Sequence, residues 1–238
     1  MIINLAGANI SKRWNKAYKK IIYDSRINTT KMLVDAISKA TNKPSLLISA
    51  SAVGFYNDES EYDEEHFLPT NNFLGDLCSD WETMAMRASK NTRVVIFRFG
   101  VVLGRNGGII KKVYPMYKNG LGAIIGSGKQ SMSWIHISDV LNAVQYALKN
   151  KNLAGIYNLC SPNNITQKEF SKVFASSMHR PLFFRIPAFL IKLMFGEGSI
   201  VLLEGQRVKP TKLLNEGFNF KHTDIKSALM DIIDSKQV

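Results

Sequence analysis

The stretch Met1-Ile2-Ile3-Asn4-Leu5-Ala6-Gly7 decides how the rest of this 238-residue chain is read. Apolar and small residues run into a glycine with no turn signal ahead of them. That pattern suits a short strand buried on both faces of a parallel sheet. From about Asn15 to Ala40, Tyr18, Ile21, Ile22, Met32, Leu33, Val34 and Ile37 recur at helical spacing between Lys and Arg. A long helix is expected there, kinked near Asn28-Thr29-Thr30 and ended by Pro44. Leu46 to Ser51 then supplies a second buried strand, with a bend at Gly54. After an acidic loop, Leu77 to Ala88 reads as a helix and Arg93 to Gly100 as a third strand. Alternating strands and helices predict a parallel sheet with right-handed crossovers.

A glycine-rich region follows, from Gly104 to Gly128, and loops of this kind at strand ends line ligand sites in open α/β sheets. Ser133 to Ile137 is a short strand-like run, and Ser138-Asp139 is expected to cap the helix carrying Val140, Ala143, Val144, Ala147 and Leu148. Ile156 to Cys160 reads as the last sheet strand. Beyond Pro162 the pattern turns to short helices broken at Pro181, Pro187 and Pro210. The expected organisation is an α/β domain over residues 1–160 and a small, mostly helical C-terminal lobe over 161–238.

Bulk properties narrow the class further. Cys78 and Cys160 stand far apart with no CxxC or Cys/His spacing, so neither a zinc site nor a disulfide framework is expected. The longest apolar stretch, Ser45 to Tyr56, is too short and mixed to span a bilayer, and a cytoplasmic location fits best. The net charge of +12 is distributed in blocks: residues 57–82 hold nine Asp/Glu and no Lys/Arg, and residues 83–138 the reverse. Basic residues are not interleaved with exposed aromatics as a nucleic-acid platform requires, so lysine-decorated helix faces are the preferred reading over a nucleic-acid partner.

Several segments in one order carry a resemblance: Ile3-Asn4-Leu5-Ala6-Gly7, Ser25-Arg26-Ile27-Asn28-Thr29-Thr30, Ser49-Ala50-Ser51-Ala52-Val53-Gly54-Phe55-Tyr56, Trp81-Glu82, Arg98-Phe99-Gly100-Val101, Gly126-Ser127-Gly128 and Trp134-Ile135-His136-Ile137-Ser138-Asp139. Together with Arg180-Pro181, Ile186-Pro187-Ala188 and Gly205-Gln206-Arg207-Val208, they resemble an extended short-chain dehydrogenase/reductase. Within that superfamily the chain looks like the NAD(P)-dependent epimerase-related group with a C-terminal domain of unknown function. The resemblance implies a Rossmann-like doubly wound sheet and a dinucleotide cofactor, NADP or NAD, for full-length relatives. It places Leu5, Ala6, Gly7, Ser49, Arg98 and Gly100 toward the cofactor, and an unknown small molecule as substrate.

The implied chemistry is hydride exchange with a Tyr base, an assisting Lys and a Ser that holds the substrate oxygen. Ser51 matches the Ser, at the end of its strand. The Tyr and Lys positions on the helix of Trp81-Glu82 hold Leu74 and Cys78, neither of which can serve. Tyr56 and His136 are the polar rings left near the expected cleft, and Tyr56 stands as the second catalytic candidate after Ser51. Two look-alikes are set aside: Tyr114-x-x-x-Lys118, which contains Pro115, and Gly120-x-Gly122-x-x-x-Gly126, which follows a helix rather than a strand.

The glycine-rich pyrophosphate turn normally lies ahead of such a strand, so the chain is expected to be N-terminally truncated. An open sheet edge at Ile2 to Leu5, available for self-association, is expected with it. The functional expectation is an impaired or inactive member of the family, with a non-catalytic binding or assembly module as the alternative and a charge-driven nucleic-acid binder as the lesser one. The apolar, basic-punctuated run from Leu182 to Phe195 is expected to pack against the main domain rather than to lie on a membrane surface.

Overall fold

The computed structural model describes residues 1–234; residues 235–238, the end of the expected C-terminal lobe, lie outside the described residues. Strands β1 (Ile2–Asn4), β2 (Leu46–Ala52) and β3 (Arg93–Phe99) begin the sheet, with helices α1 (Lys16–Lys39) and α2 (Phe73–Met86) between them. Short strand β4 (Val101–Leu103), helix α3 (Gly108–Lys118), strands β5 (Ala123–Ile125) and β6 (Trp134–His136), helix α4 (Ile137–Lys149) and strand β7 (Gly155–Leu159) follow. The main sheet runs β1-β2-β3-β7 with every pairing parallel, Ile3 opposite Ile48, Leu47 opposite Val94 and Val95 opposite Gly155.

Both faces of this sheet are covered, as the unbroken apolar runs of its strands require. Leu46, Ile48, Val95 and Phe97 meet Val140, Ala143 and Ala147 of α4 on one side. Leu47, Val94 and Ile96 meet Val34 and Ile37 of α1, with Ala85 and Ala88, on the other. The parallel sheet expected from the alternation, and the doubly wound arrangement that the resemblance implies, are therefore present. Strand β1 forms one edge, and Ile3 and Leu5 are exposed along it.

Three local expectations need correction. Helix α1 is unbroken through Asn28-Thr29-Thr30. Thr30 points inward, where its Oγ1 accepts from Asn4 Nδ2 and from Trp81 Nε1, each at 2.9 Å, so its polarity is used in packing. Helix α2 starts four residues before the pattern predicts, because Asn72 Oδ1 accepts from the amides of Leu74 and Gly75. The cap of α4 is His136, not Ser138-Asp139: its Nδ1 accepts from the Ser138 amide. Asp139 is fully buried and takes the Lys221 and His222 amides at 2.8 and 2.9 Å.

The C-terminal part is mostly helical, as expected, and is joined to the first 160 residues by strand pairings. Helix α5 (Gln167–Ser177), strand β8 (Phe184–Ile186), helix α6 (Ala188–Phe195) and helix α7 (Ile225–Asp234) carry most of it. Strand β8 pairs in parallel with β5, and Arg207–Val208 with Glu61–Tyr62, so the lobe is woven into the first 160 residues. Phe170 and Phe174 of α5 share a core with Trp134, Leu229 and Ile232. Helix α6 does not pack as expected: Ile191 is buried, while Phe189, Leu193 and Met194 are 62–67% exposed. Its apolar residues run around the whole helix, and one face alone finds a neighbour. Its end is tied by the Trp14 amide donating to Phe195 O at 3.2 Å. Among the described residues no helix is long and apolar enough to cross a membrane.

Thr30 is the simplest test of how β1 is held. Thr30→Val should cost about 2–3 kcal/mol in urea unfolding, since it strands two buried donors. Thr30→Ser, which keeps the hydroxyl, should cost less than half of that.

Candidate functional site

The parallel strands all end on one side, and that is where ligands enter open α/β sheets. Leu5, Ala6 and Gly7 continue from β1 and are exposed there. Arg26 of α1 closes over Gly7, where an added Cβ would lie 2.8 Å from the guanidinium carbon. The Arg26 side chain donates to Ile22 O and Ala8 O. Burial pulls its pKa below the ordinary value. Gly100 follows β3, and a Cβ on it would lie 2.7 Å from Ser133 O, so only glycine lets β3 pass into β4 at this point.

The side chains expected at the site meet each other instead of the crevice. Ser51, next to the last residue of β2, is buried; its hydroxyl donates to Glu82 Oε1 at 2.6 Å. Arg98 of β3 donates from Nε to Glu82 Oε1 and from Nη2 to Oε2, both at 2.7 Å. That is a two-pronged pair with Arg98 3% and Glu82 6% exposed. Burial alone would lower the Arg98 pKa, but the bonds and charge of Glu82, with Tyr56, more than offset it and raise it. Arg98 also donates to the Tyr56 oxygen at 2.8 Å, and Tyr56 donates to Asn158 Oδ1 at 2.7 Å. The Phe55 ring centroid lies 3.7 Å from the guanidinium carbon.

The network continues into the acidic loop. Glu64, largely buried, accepts from the Asn158 amide at 2.8 Å and from the Lys212 amide at 3.2 Å. Burial raises its pKa against the pull of those two bonds. Asn158 Nδ2 donates to Lys209 O at 2.9 Å. One connected set of polar contacts thus joins β2, α2, β3, β7, the loop of residues 57–66 and the C-terminal segment 207–212. Glu64, Glu82 and Asn158 escaped the candidate residues because only their spatial meeting, not their spacing, marks them.

Burial holds both the Tyr56 phenol and the Cys78 thiol in their protonated forms. Burial pushes the Tyr56 hydroxyl up to about 12, against the opposing pull of Arg98 and Asn158. Cys78, at the position where the resemblance would place a Lys, is buried, and burial followed by the charge of Glu82 pushes its thiol up to about 12. Ser49 is buried within β2, its hydroxyl 3.5 Å from Ala50 O. Tyr114 lies against the core that surrounds Trp134 and Phe174.

His136 lies apart from this set and close to His222, with ring centroids 4.0 Å apart. Together with Asp231 these residues bring one ligand atom each within 4.8 Å of one another. The His136 Nδ1 accepts from the Ser138 amide, which leaves the proton on Nε2, facing Asp231 Oδ2 at 3.4 Å. Neither His136 Nε2 nor His222 Nε2 finds a hydrogen-bond partner among the described residues.

Two measurements probe these buried groups. Glu82→Ala leaves the Arg98 guanidinium buried and unpaired and should cost about 3–5 kcal/mol in urea unfolding, while Ser51→Ala should cost about 1 kcal/mol. His136 has a pKa held below 6.5 by burial and by His222, against the pull of Asp231 and Asp139. Its contribution to stability is present above the unfolded value and is lost as pH falls below it, because the unfolded chain then binds the extra proton. Between pH 7.5 and 5.5 the urea midpoint should fall, and His136→Asn, which keeps a cap, should flatten that fall.

Comparison with known proteins agrees with this geometry. The NAD dependent epimerase/dehydratase family model matches residues 1–160, and a domain of unknown function (DUF1731) matches residues 186–232. An epimerase family protein of Staphylococcus haemolyticus is 40% identical over 238 residues, covering 99% of this chain and 80% of its own length. The chloroplastic SDR39U1 homolog of Arabidopsis thaliana is 39% identical over 235 residues, covering 98% of this chain and 68% of its own length. The crystal structure of human epimerase family protein SDR39U1 (isoform 2) with NADPH superposes with a TM-score of 0.93 at 35% identity, covering 98% of this chain and 81% of that one. With its Rossmann-like sheet, the chain belongs to the NAD-dependent epimerase/dehydratase family, in the group that carries the DUF1731 domain.

Proposed function

We propose that this chain is an epimerase-family NADP(H)- or NAD(H)-binding protein in which Tyr-base hydride chemistry is impaired. The observation that carries the reading is the Glu82–Arg98 network. It binds Ser51 and Tyr56 into the fold, while Leu74 and Cys78 occupy the positions of the expected base pair. A general base must reach its substrate and titrate near the working pH, and a buried phenol at about 12 meets neither condition.

Cofactor affinity in this reading comes from the strand ends alone. Leu5, Ala6, Gly7 and Gly100 offer apolar side chains and backbone groups to a dinucleotide. Ser49 and Arg98, read from the sequence as cofactor contacts, have their side chains engaged inside the protein. The NADPH named with the human relative supports a dinucleotide as the ligand class.

Calorimetry with NADPH and NADH tests this directly, alongside absorbance at the reduced-nicotinamide band with a panel of ketones. The expected result is binding weaker than roughly 0.1 mM and no ketone-dependent loss of absorbance above the blank. Turnover that disappears in Tyr56→Phe would overturn the impairment.

A second reading, an assembly module, is favoured by the outer edge of β1, which pairs with no other strand among the described residues and where Ile3 and Leu5 stand exposed. It predicts a dimer in sedimentation velocity that Ile3→Lys converts to monomer. A monomeric parent chain rules it out.

A further inference from the structure

Beside the strand ends is a pocket of about 200 Å³ that lies outside the Glu82–Arg98 network. Val53 follows directly from β2 and Val101 opens β4, so the pocket begins where the crevice of the sheet ends. Its far walls are Val113 and Met116 of α3, Met132, and Phe170 of α5.

The lining is as informative for its polar atoms as for its apolar ones. Gln130 Nε2 donates to Ile125 O at 3.1 Å and to Leu202 O at 3.0 Å. Gln167 accepts from the Ile125 amide and donates to Ser171 Oγ. Ser133 Oγ donates within reach of Asn164 Oδ1 and Gln206 O, and accepts from the Val208 amide. These groups hold the wall together. At Gly205 the wall is closed so tightly that an added Cβ would lie 1.8 Å from Ser131 O.

Among the described lining residues there is no Lys, Arg or His, and the single carboxylate is Glu204, which is exposed. A diphosphate or carboxylate needs cationic forks or free backbone donors to replace its lost water. This pocket offers mainly methyl groups and ring edges, with the uncharged Ser131 and Gln206 and a carboxylate that repels anions. A cavity of about 150 Å³ lined by apolar side chains accepts benzene, which sets the scale for a slightly larger one.

We infer that this pocket binds a small, uncharged, largely apolar ketone or alcohol of about ten non-hydrogen atoms, and that nucleotide sugars are not its ligands. The inference rests on reading the strand-end crevice as a dinucleotide site, which would place the polar carbon of such a ligand toward Val53 and Val101. It adds the ligand class to that reading.

The experiment uses the whole chain with 13C-labelled methionine methyl groups and no dinucleotide present. Propiophenone, 3-phenylpropanoate and UDP-glucose are titrated separately, and Met116→Leu and Met132→Leu assign the two pocket signals. Propiophenone is expected to shift both signals saturably with Kd below about 1 mM, with 3-phenylpropanoate at least roughly tenfold weaker and UDP-glucose without effect. Val113→Trp, which fills the pocket, should weaken propiophenone at least about tenfold while keeping a cooperative melt. If that variant fails to fold, the titration of the parent chain still decides. No saturable propiophenone shift up to its solubility, or UDP-glucose acting on the same signals as tightly, overturns the inference. Because no dinucleotide is added, a failure of NADPH binding and a failure of this pocket are separately visible.

Discussion

The pairing of Glu82 with Arg98 is the constraint on which the rest of the molecule is arranged. Two charges this deeply buried persist only if each other's charge and the remaining hydrogen-bonding positions are met. Glu82 therefore needs Ser51 as well as Arg98, and Arg98 needs the Tyr56 oxygen and the Phe55 ring. Tyr56 in turn fixes Asn158 near the end of β7, and Asn158 brings Glu64 and the Lys209 carbonyl to it. Removing the pair would unfasten the acidic loop and the C-terminal segment from the sheet as well as the two strands that carry it.

That chain of satisfaction also explains the charge blocks. In the sequence, residues 57–82 look like a solvated acidic stretch, yet Glu64 and Glu82 are buried within it. Asp63 accepts from the Glu65 and His66 amides and from Thr211, so even the partly exposed part of the loop is a fastening. Charge counting cannot separate these roles, since a carboxylate's partner lies in another element and the pairing shows only after folding.

How far the sequence could be read follows the same division. Apolar periodicity located β1, β2, β3 and β7 and the helices between them, because burial on both faces leaves its mark in consecutive residues. The family was legible from short segments in a fixed order. Helix ends and the α1 kink were misjudged where a side chain's partner decided the outcome: Asn72 for α2, His136 for α4, and Thr30 with Asn4 and Trp81 for α1. Ser51 was expected at the cleft by its position on the strand. Position cannot tell that Glu82 takes its hydroxyl.

The network bears on the crevice through what it withholds. A Ser and a Tyr that would be mobile hydrogen-bonding groups in an open site are held by bonds of 2.6 to 2.8 Å to groups in the core. Neither can turn toward a ligand without leaving a buried charge or amide unsatisfied, a cost of about 1–3 kcal/mol per group and more for a charged one. The strand ends are therefore lined by Leu5, Ala6, glycines, backbone and Arg26, and the pocket beyond them mainly by apolar side chains, with Gln130, Gln167 and Ser133 engaged in its wall. Recognition at such a surface depends on shape and on the removal of apolar area from water. Polarity in this protein is invested in holding the sheet to its loops, and the ligand side is left with what that investment does not use.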